Sequence, residues 1–191
     1  MMTDTTNISA DEAVKIVQSG NRVFVHGSAA TPVHIIEALQ KRHEELSNVE
    51  IVSITTLGNT NFNNPVCSES FFINSLFVSE NTREVINSNH GDYVPIFLSQ
   101  IPQLFKENFL PLDVAIIQVS PPDAHGYCSL GTSVDIARAA VDTAPHIIAQ
   151  VNSRMPRTHG ESFIHVDKIN ALVWHDSELP EINYSTKSND T

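Results

Sequence analysis

The feature that most constrains this chain is the apolar run Val114–Val119, which leads into QVSPPDAHGYCSLGTS (118–133) and is stopped by Pro121-Pro122. A strand apolar along its whole length needs cover on both faces, which places it inside a parallel sheet. His146–Val151 is a second run of the same kind, and these two strands are expected at the centre. The loop after Val119 holds two glycines, a histidine, a cysteine, a tyrosine and several hydroxyls, and a helix is expected to leave it near Ser133. In α/β proteins ligands bind at such a junction, because the strand's carboxyl end and the helix's free N–H groups face one crevice.

The flanking sequence fits that frame. Ser9-Ala-Asp-Glu12 reads as a capping box ahead of a short amphipathic helix that Gly20 ends. Arg22–His26 reads as a buried strand. Thr31 suits a helix N-cap and Pro32 the first helical position, with the helix running to about Glu45 on an Ile35, Ile36, Leu39 stripe. Asn48 breaks it and Val49–Ile54 is the next strand. Strand, glycine-containing loop, helix and strand make a βαβ unit, which implies a parallel sheet. The asparagine-rich stretch Leu57–Glu69 reads as irregular, Phe71–Val78 as a strand and Asn89-His-Gly-Asp92 as a turn. Val94–Asn108 has helical spacing, with Pro102 implying a kink or boundary. Thr132-Ser-Val-Asp135 repeats the capping-box pattern and is expected to open a helix through about Asp142, and Phe163–Trp174 carries two short apolar pieces. The expected architecture is α/β, an open, mostly parallel sheet of five or six strands flanked by helices. One domain would span 1–182, with 183–191 a linker or ragged end. Loops 27–32, 120–132 and 152–160 each follow a strand, so a parallel sheet gathers them at one end.

Composition removes several function classes. With a net charge of −11 over 191 residues, the chain lacks the basic field that drives phosphate-backbone binding, so no nucleic-acid partner is expected. Two cysteines, Cys67 and Cys128, form neither a disulfide framework nor a CxxC pair, and His159, His165 and His175 share no face that would make a metal site. The N-terminal stretch has no apolar signal-peptide core, and no run approaches the roughly 18 apolar residues that span a bilayer. A soluble cytoplasmic protein with no membrane partner and no bound cofactor is expected.

The candidate chemistry lies in the three loops. Gly27–Thr31, including Gly27 and Ser28, is suited to cradling a phosphate or acyl group on backbone N–H groups, or else is a close-packed turn that needs small residues. His125, beside Gly126 in a loop stiffened by two prolines, is a candidate acid/base or ligand contact, or a loop residue satisfying carbonyls. Cys128 has no base partner in sequence, which favours a packing role. In the loop opening at Asn152, Arg154 and Arg157 are spaced to hold a carboxylate or phosphate, or to pair with Glu161 and Asp167. No GxSxG elbow or other nucleophile motif occurs, so no catalytic residue is assigned. The residues alone define an α/β ligand-binding domain favouring anions at one end, without a reaction.

As a set, VFVHGSAATP (23–32), VSPPDAHGYCSLGTSVD (119–135) and AQVNSRMPRTHGESFIHVDKIN (149–170) resemble the amino-terminal domain of the acetyl-CoA hydrolase/transferase family. This is the class I CoA-transferase branch that includes 4-hydroxybutyrate, butyrate and acetate CoA-transferases. Asn89–Pro95 and Leu179–Ile182 look like the same family, so the resemblance runs from about Ile8 to Ile182. It implies the CoA-transferase (NagB-like) fold and a ping-pong transfer of CoA between an acyl-CoA and a small carboxylic acid through a glutamyl-CoA thioester, with coenzyme A as substrate. It also implies that the nucleophilic glutamate belongs to a carboxy-terminal domain or subunit that this chain does not include. An acetyl-CoA hydrolase half and a non-catalytic acyl-CoA or sugar-phosphate binding module are the alternatives. On this resemblance Gly27, Ser28, His125, Gly126, Asn152, Arg154 and Arg157 are the expected substrate-binding residues. The apolar cleft surface left open predicts self-association, most simply a homodimer.

Overall fold

Each strand at the sheet's centre is apolar on both sides because each side meets a separate core. The computed structural model describes residues 7–58, 60 and 64–181. Nine strands lie among them: β1 Arg22–Val25, β2 Val49–Ser53, β3 Phe71–Ser75, β4 Gly91–Tyr93, β5 Val114–Val119, β6 Tyr127–Ser129, β7 His146–Val151, β8 Phe163–His165 and β9 Ala171–Trp174. Seven form one sheet in the order β4-β3-β2-β1-β5-β7-β9, and every pair in it is parallel. β6 and β8 form a separate antiparallel pair. The expected α/β class with an open parallel sheet holds, and β5 and β7 lie inside it.

Alternate residues go to opposite cores. Phe24, Val52, Ala115, Ile117, Ile147 and Ala149 face one side, where α5 (Ile101–Lys106) and α6 (Ala137–Thr143) cover them. Val23, Ile51, Val114, Ile116 and Ile148 face the other, under α1 (Ala10–Ala13) and α2 (Val33–Gln40). Phe24 is fully buried and meets the Phe105 ring edge-on, with centroids 6.1 Å apart.

Several element boundaries differ from expectation for local reasons. Ser9 caps α1 through the Glu12 N–H as expected. Thr31 does not cap α2: its hydroxyl donates to the Ser28 carbonyl, Pro32 takes the cap position, and the α-helix ends at Gln40. The helix read over Val94–Asn108 is shorter. Residues 94–97 form no helix, consistent with the restriction Pro95 places on Val94, and a 3-10 turn at Leu98–Gln100 leads into α5 with Pro102 in its first turn. The capping-box pattern at Thr132 opens no helix. Ser133 hydrogen-bonds Asp135 instead, and α6 begins at Ala137. The strand read over Phe71–Val78 stops at Ser75. An unanticipated helix α4 (Glu80–Asn87) follows it, closed by Asn89 in the left-handed region at φ 65°. In the asparagine-rich stretch Asn64 caps a short helix α3 (Pro65–Ser68); residues 59 and 61–63, and the tail from 182 onward, lie outside the described residues.

The Phe24 site gives a direct test of the core. Phe24→Ala removes a fully buried ring from the most central layer and is expected to cost about 3–5 kcal/mol of unfolding free energy. Urea denaturation followed by circular dichroism measures it, and a loss under 1 kcal/mol would show that the ring is not packed as described.

Candidate functional site

The order of the sheet fixes where a crevice opens. From β1 the chain adds β2, β3 and β4 outward on one side, then returns to place β5 against β1 on the other. The reversal makes the carboxyl ends of β1 and β5 the topological switch point, where open α/β sheets bind ligands. The loops after β1, β5 and β7 leave this same edge, as expected.

Buried polar groups line the switch point. His26, the residue after β1, is fully buried; its Nδ1 accepts from the Gln118 N–H at 3.2 Å and its Nε2 lies 2.5 Å from the Ser133 carbonyl. With Nδ1 accepting, the proton sits on Nε2 and is donated to Ser133. Gln118 Nε2 donates to the Thr31 carbonyl at 3.3 Å, and Gln118 Oε1 accepts from Gln150 Nε2 at 3.2 Å and Asn152 Nδ2 at 2.9 Å. Asn152 Nδ2 also donates to the Ser177 carbonyl at 2.8 Å. All three loops and the segment after β9 are therefore joined by one side-chain network. Gln118 and Gln150 are in register in the β5–β7 pair. Their signal in sequence is one glutamine at the same place in two otherwise apolar runs, and composition-based reading passed over it, as it did His26.

The turn at Gly27 is tight. A Cβ there would sit 2.8 Å from Ile54 Cγ1 and 2.9 Å from the Thr55 carbonyl, so only glycine fits against the end of β2. Ser28 follows in the left-handed region at φ 53°, and its N–H donates to the Thr55 carbonyl. That N–H is engaged inside the protein, so of the two residues expected to offer backbone donors, Ser28 has none to give.

The loops after β5 and β7 are fastened to each other. Asp123 Oδ1 accepts the N–H groups of His125 at 2.8 Å and Tyr127 at 2.9 Å, while Oδ2 pairs with Arg157 Nη2. The Tyr127 N–H, then that of His125 and the Arg157 charge, hold the Asp123 carboxyl below its ordinary range. Arg157 also donates to the Tyr127 carbonyl at 2.9 Å and lies over the Phe163 ring, 4.6 Å from its centroid. Gly126 has φ 81°, and a Cβ there would meet His165 Nε2 at 2.7 Å. The structure thus brings Gly27, Ser28 and Asn152 to the switch point and carries His125, Gly126 and Arg157 out on the arm formed by β6 and β8. Arg154 turns away to pair with Glu178. The two arginines do not converge on one anion, because each already has a carboxylate of the chain; those partners are Asp123 and Glu178 rather than Glu161 and Asp167.

Neither central thiol nor imidazole is set up for chemistry. Burial pushes the Cys128 thiol up to about 12, so it stays protonated at neutral pH and cannot act as a nucleophile. Burial lowers the His26 pKa below its ordinary value, and both ring nitrogens are engaged. The loops and side-chain network of this edge can shape and orient a ligand.

Residues 4–182 match the model of the acetyl-CoA hydrolase/transferase N-terminal domain. The chain belongs to the acetyl-CoA hydrolase/transferase family. It is 40% identical over 175 residues to the 4-hydroxybutyrate coenzyme A transferase of Clostridium kluyveri, covering 92% of this chain and 41% of that one. It is 42% identical over 166 residues to a succinyl-CoA:acetate/propanoyl-CoA:succinate CoA transferase of Fasciola hepatica, covering 86% and 34%. The structure superposes on the 4-hydroxybutyrate CoA-transferase of Porphyromonas gingivalis with a TM-score of 0.73 at 31% identity, over 92% of this chain and 40% of that one. The chain therefore corresponds to this family's amino-terminal domain and spans well under half the length of these relatives. Among its described residues no helix is long and apolar enough to cross a membrane.

His26 makes the network sensitive to acid. Its folded-state pKa is depressed, so between that value and about 6.5 the unfolded chain binds a proton that the folded chain does not. Stability therefore rises with pH through this window and is lost as pH falls below about 6.5, by at most about 1.4 kcal/mol per pH unit. His26→Asn, which cannot titrate, is expected to flatten that slope. Urea midpoints at pH 8 and pH 5 for both proteins check it, and parallel pH profiles would refute it.

Proposed function

We propose that this chain forms one wall of a CoA-transferase active site and that the rest of the protein supplies the nucleophile. The observation that carries the reading is a family match confined to the amino-terminal domain, together with three post-strand loops on one carboxyl edge. In the reaction, a glutamate carboxylate of the missing portion attacks the acyl-CoA carbonyl, releasing CoA thiolate and forming an acyl-glutamyl anhydride. The thiolate attacks the glutamyl carbonyl and frees the first carboxylic acid, leaving a glutamyl-CoA thioester. An acceptor carboxylate attacks that thioester, expelling CoA thiolate and forming a second acyl-glutamyl anhydride, and the thiolate attacks its acyl carbonyl to give the new acyl-CoA and release the glutamate carboxylate.

The contribution of this chain is positioning. The Gly27–Ser28 turn, held against Ile54 and Thr55, sets the wall beside the reacting thioester, and Asn152 fixes the floor beneath it through Gln118. His125 and Gly126 lie on the arm at the rim, where Arg157 ties the arm to Asp123 and Arg154 pairs with Glu178, so these residues shape the rim rather than charge it. The substrates are an acyl-CoA and a small acid of the acetate, butyrate or 4-hydroxybutyrate class. Two buried thiols, Cys67 and Cys128, suit the reducing cytoplasm. The exposed apolar surface at the edge favours self-association in the absence of the second domain.

Reconstitution tests the reading. The 191-residue chain alone is expected to move no CoA from butyryl-CoA to acetate, and adding the separately produced carboxy-terminal portion restores exchange. Exchange by this chain unaided, or none with both parts present, would sink it. CoA release that needs no added carboxylate would point to the hydrolase reading instead.

A further inference from the structure

The polar network occupies only half of the carboxyl edge. Beyond β1 lies an apolar groove of about 710 Å³ whose floor is Ile54, Leu76 and Ile101 and whose rim is Phe77, Phe97 and Leu98. The floor is buried, while Phe77, Phe97 and Leu98 are 62%, 76% and 56% exposed. A concave apolar floor with an open aromatic rim is the form of a small-molecule pocket and falls in its usual size range. The groove shares a wall with the Gly27 turn: Ile54 fills the space where a Cβ on Gly27 would go, and the Ser28 N–H holds the Thr55 carbonyl.

We propose that this groove takes the hydrocarbon chain of the acyl-CoA and selects plain alkyl acyl groups over those ending in a carboxylate. The inference rests on the CoA-transferase reading and narrows its substrate. The lining residues include no lysine, arginine, histidine or acid, and their polar side chains are those of Thr55, Gln100 and Tyr93. A terminal carboxylate carried into such a site would lose its water with no cation to replace it, a penalty far above that of a methyl group. Each methylene laid on the floor should tighten binding roughly fourfold.

Calorimetric titration of the 191-residue chain with propionyl-, butyryl-, hexanoyl- and succinyl-CoA and with free CoA tests this. Kd is expected to fall roughly fourfold per methylene up to hexanoyl-CoA, with succinyl-CoA at least about tenfold weaker than butyryl-CoA. Phe97→Arg changes an exposed rim residue that the fold does not need, and should abolish the chain-length trend and favour succinyl-CoA. Equal binding of all thioesters and of CoA overturns the groove assignment and leaves the transferase reading intact. Failure of every thioester to bind also overturns it, and the reconstitution assay then decides separately whether the transferase reading survives. Sedimentation of the same samples adds one further outcome: a dimer that Phe97→Arg dissociates would mean that a second copy fills the groove, again overturning the assignment.

Discussion

The parallel pairing of β1 with β5 is the contact on which the rest of the edge depends. It joins Val23, Phe24 and Val25 to Val114, Ala115 and Ile116, residues 91 positions apart in the chain, and it reverses the direction in which the sheet grows. Once the two strands are side by side, His26, just past β1, and Gln118, next to last in β5, are forced together where both are buried. Polar groups there must find partners in the protein, since an unpaired one costs about 1–3 kcal/mol. The network from Thr31 through Gln118 to Asn152 and Ser177 meets that requirement, and in doing so fixes loops that would otherwise move independently. Its satisfaction is incomplete. Gln150 Oε1 and Thr56 Oγ1 are buried without a partner among the described residues, Gln150 near the carboxyl end of β7 and Thr56 just past β2.

The class of fold was legible in the sequence because β5 and β7 are buried apolar runs broken only by one glutamine each and the leading His146, and two-sided cover explains such strands. The convergence of the three loops was legible for a related reason: in a parallel sheet every loop following a strand emerges at one edge. Helix boundaries were harder to read, since the hydroxyl signals that mark caps also serve other bonds. Ser9 caps its helix, but Thr31 turns back to Ser28 and Ser133 turns to Asp135, because oxygen acceptors two or three residues away there outcompete the helix N–H groups. α4 was missed because its residues, ENTREVIN, are polar apart from two, and its start is set by the Ser79–Thr82 box rather than by an apolar stripe.

The site was only partly readable. Glycines announced themselves, and the structure gives Gly27 and Gly126 each a steric reason for lacking a side chain. The arginines were misleading, because spacing in sequence says nothing about which carboxylate lies nearest after folding. Arg157 reaches back 34 residues to Asp123, and Arg154 reaches forward to Glu178. The glutamines carried the opposite lesson. A polar residue inside an apolar run looks like an interruption, yet Gln118 and Gln150 stand at the point where the sheet's core gives way to its polar edge.

That edge is divided in a way no single stretch of sequence displays. On the β1, β5 and β7 side it ends in His26, Gln118, Gln150 and Asn152; on the β2, β3 and β4 side it ends in Ile54, Leu76 and Phe77. Gly27 and Ser28 lie on the boundary, held against Ile54 and Thr55 on one flank and tied through Thr31 to Gln118 on the other. An acyl-CoA has the same division, with a polar carbonyl and sulfur joined to a hydrocarbon tail. A ligand of that kind placed across the boundary meets polar groups at its reacting end and apolar ones at its tail, and reversing it would put each against the wrong neighbour. On the proposed reading the orientation of an acyl-CoA follows from the sheet order itself, because Ile54 and Leu76 follow the strands that run outward from β1, whereas Gln118, Gln150 and Asn152 stand at the ends of the strands added after the reversal.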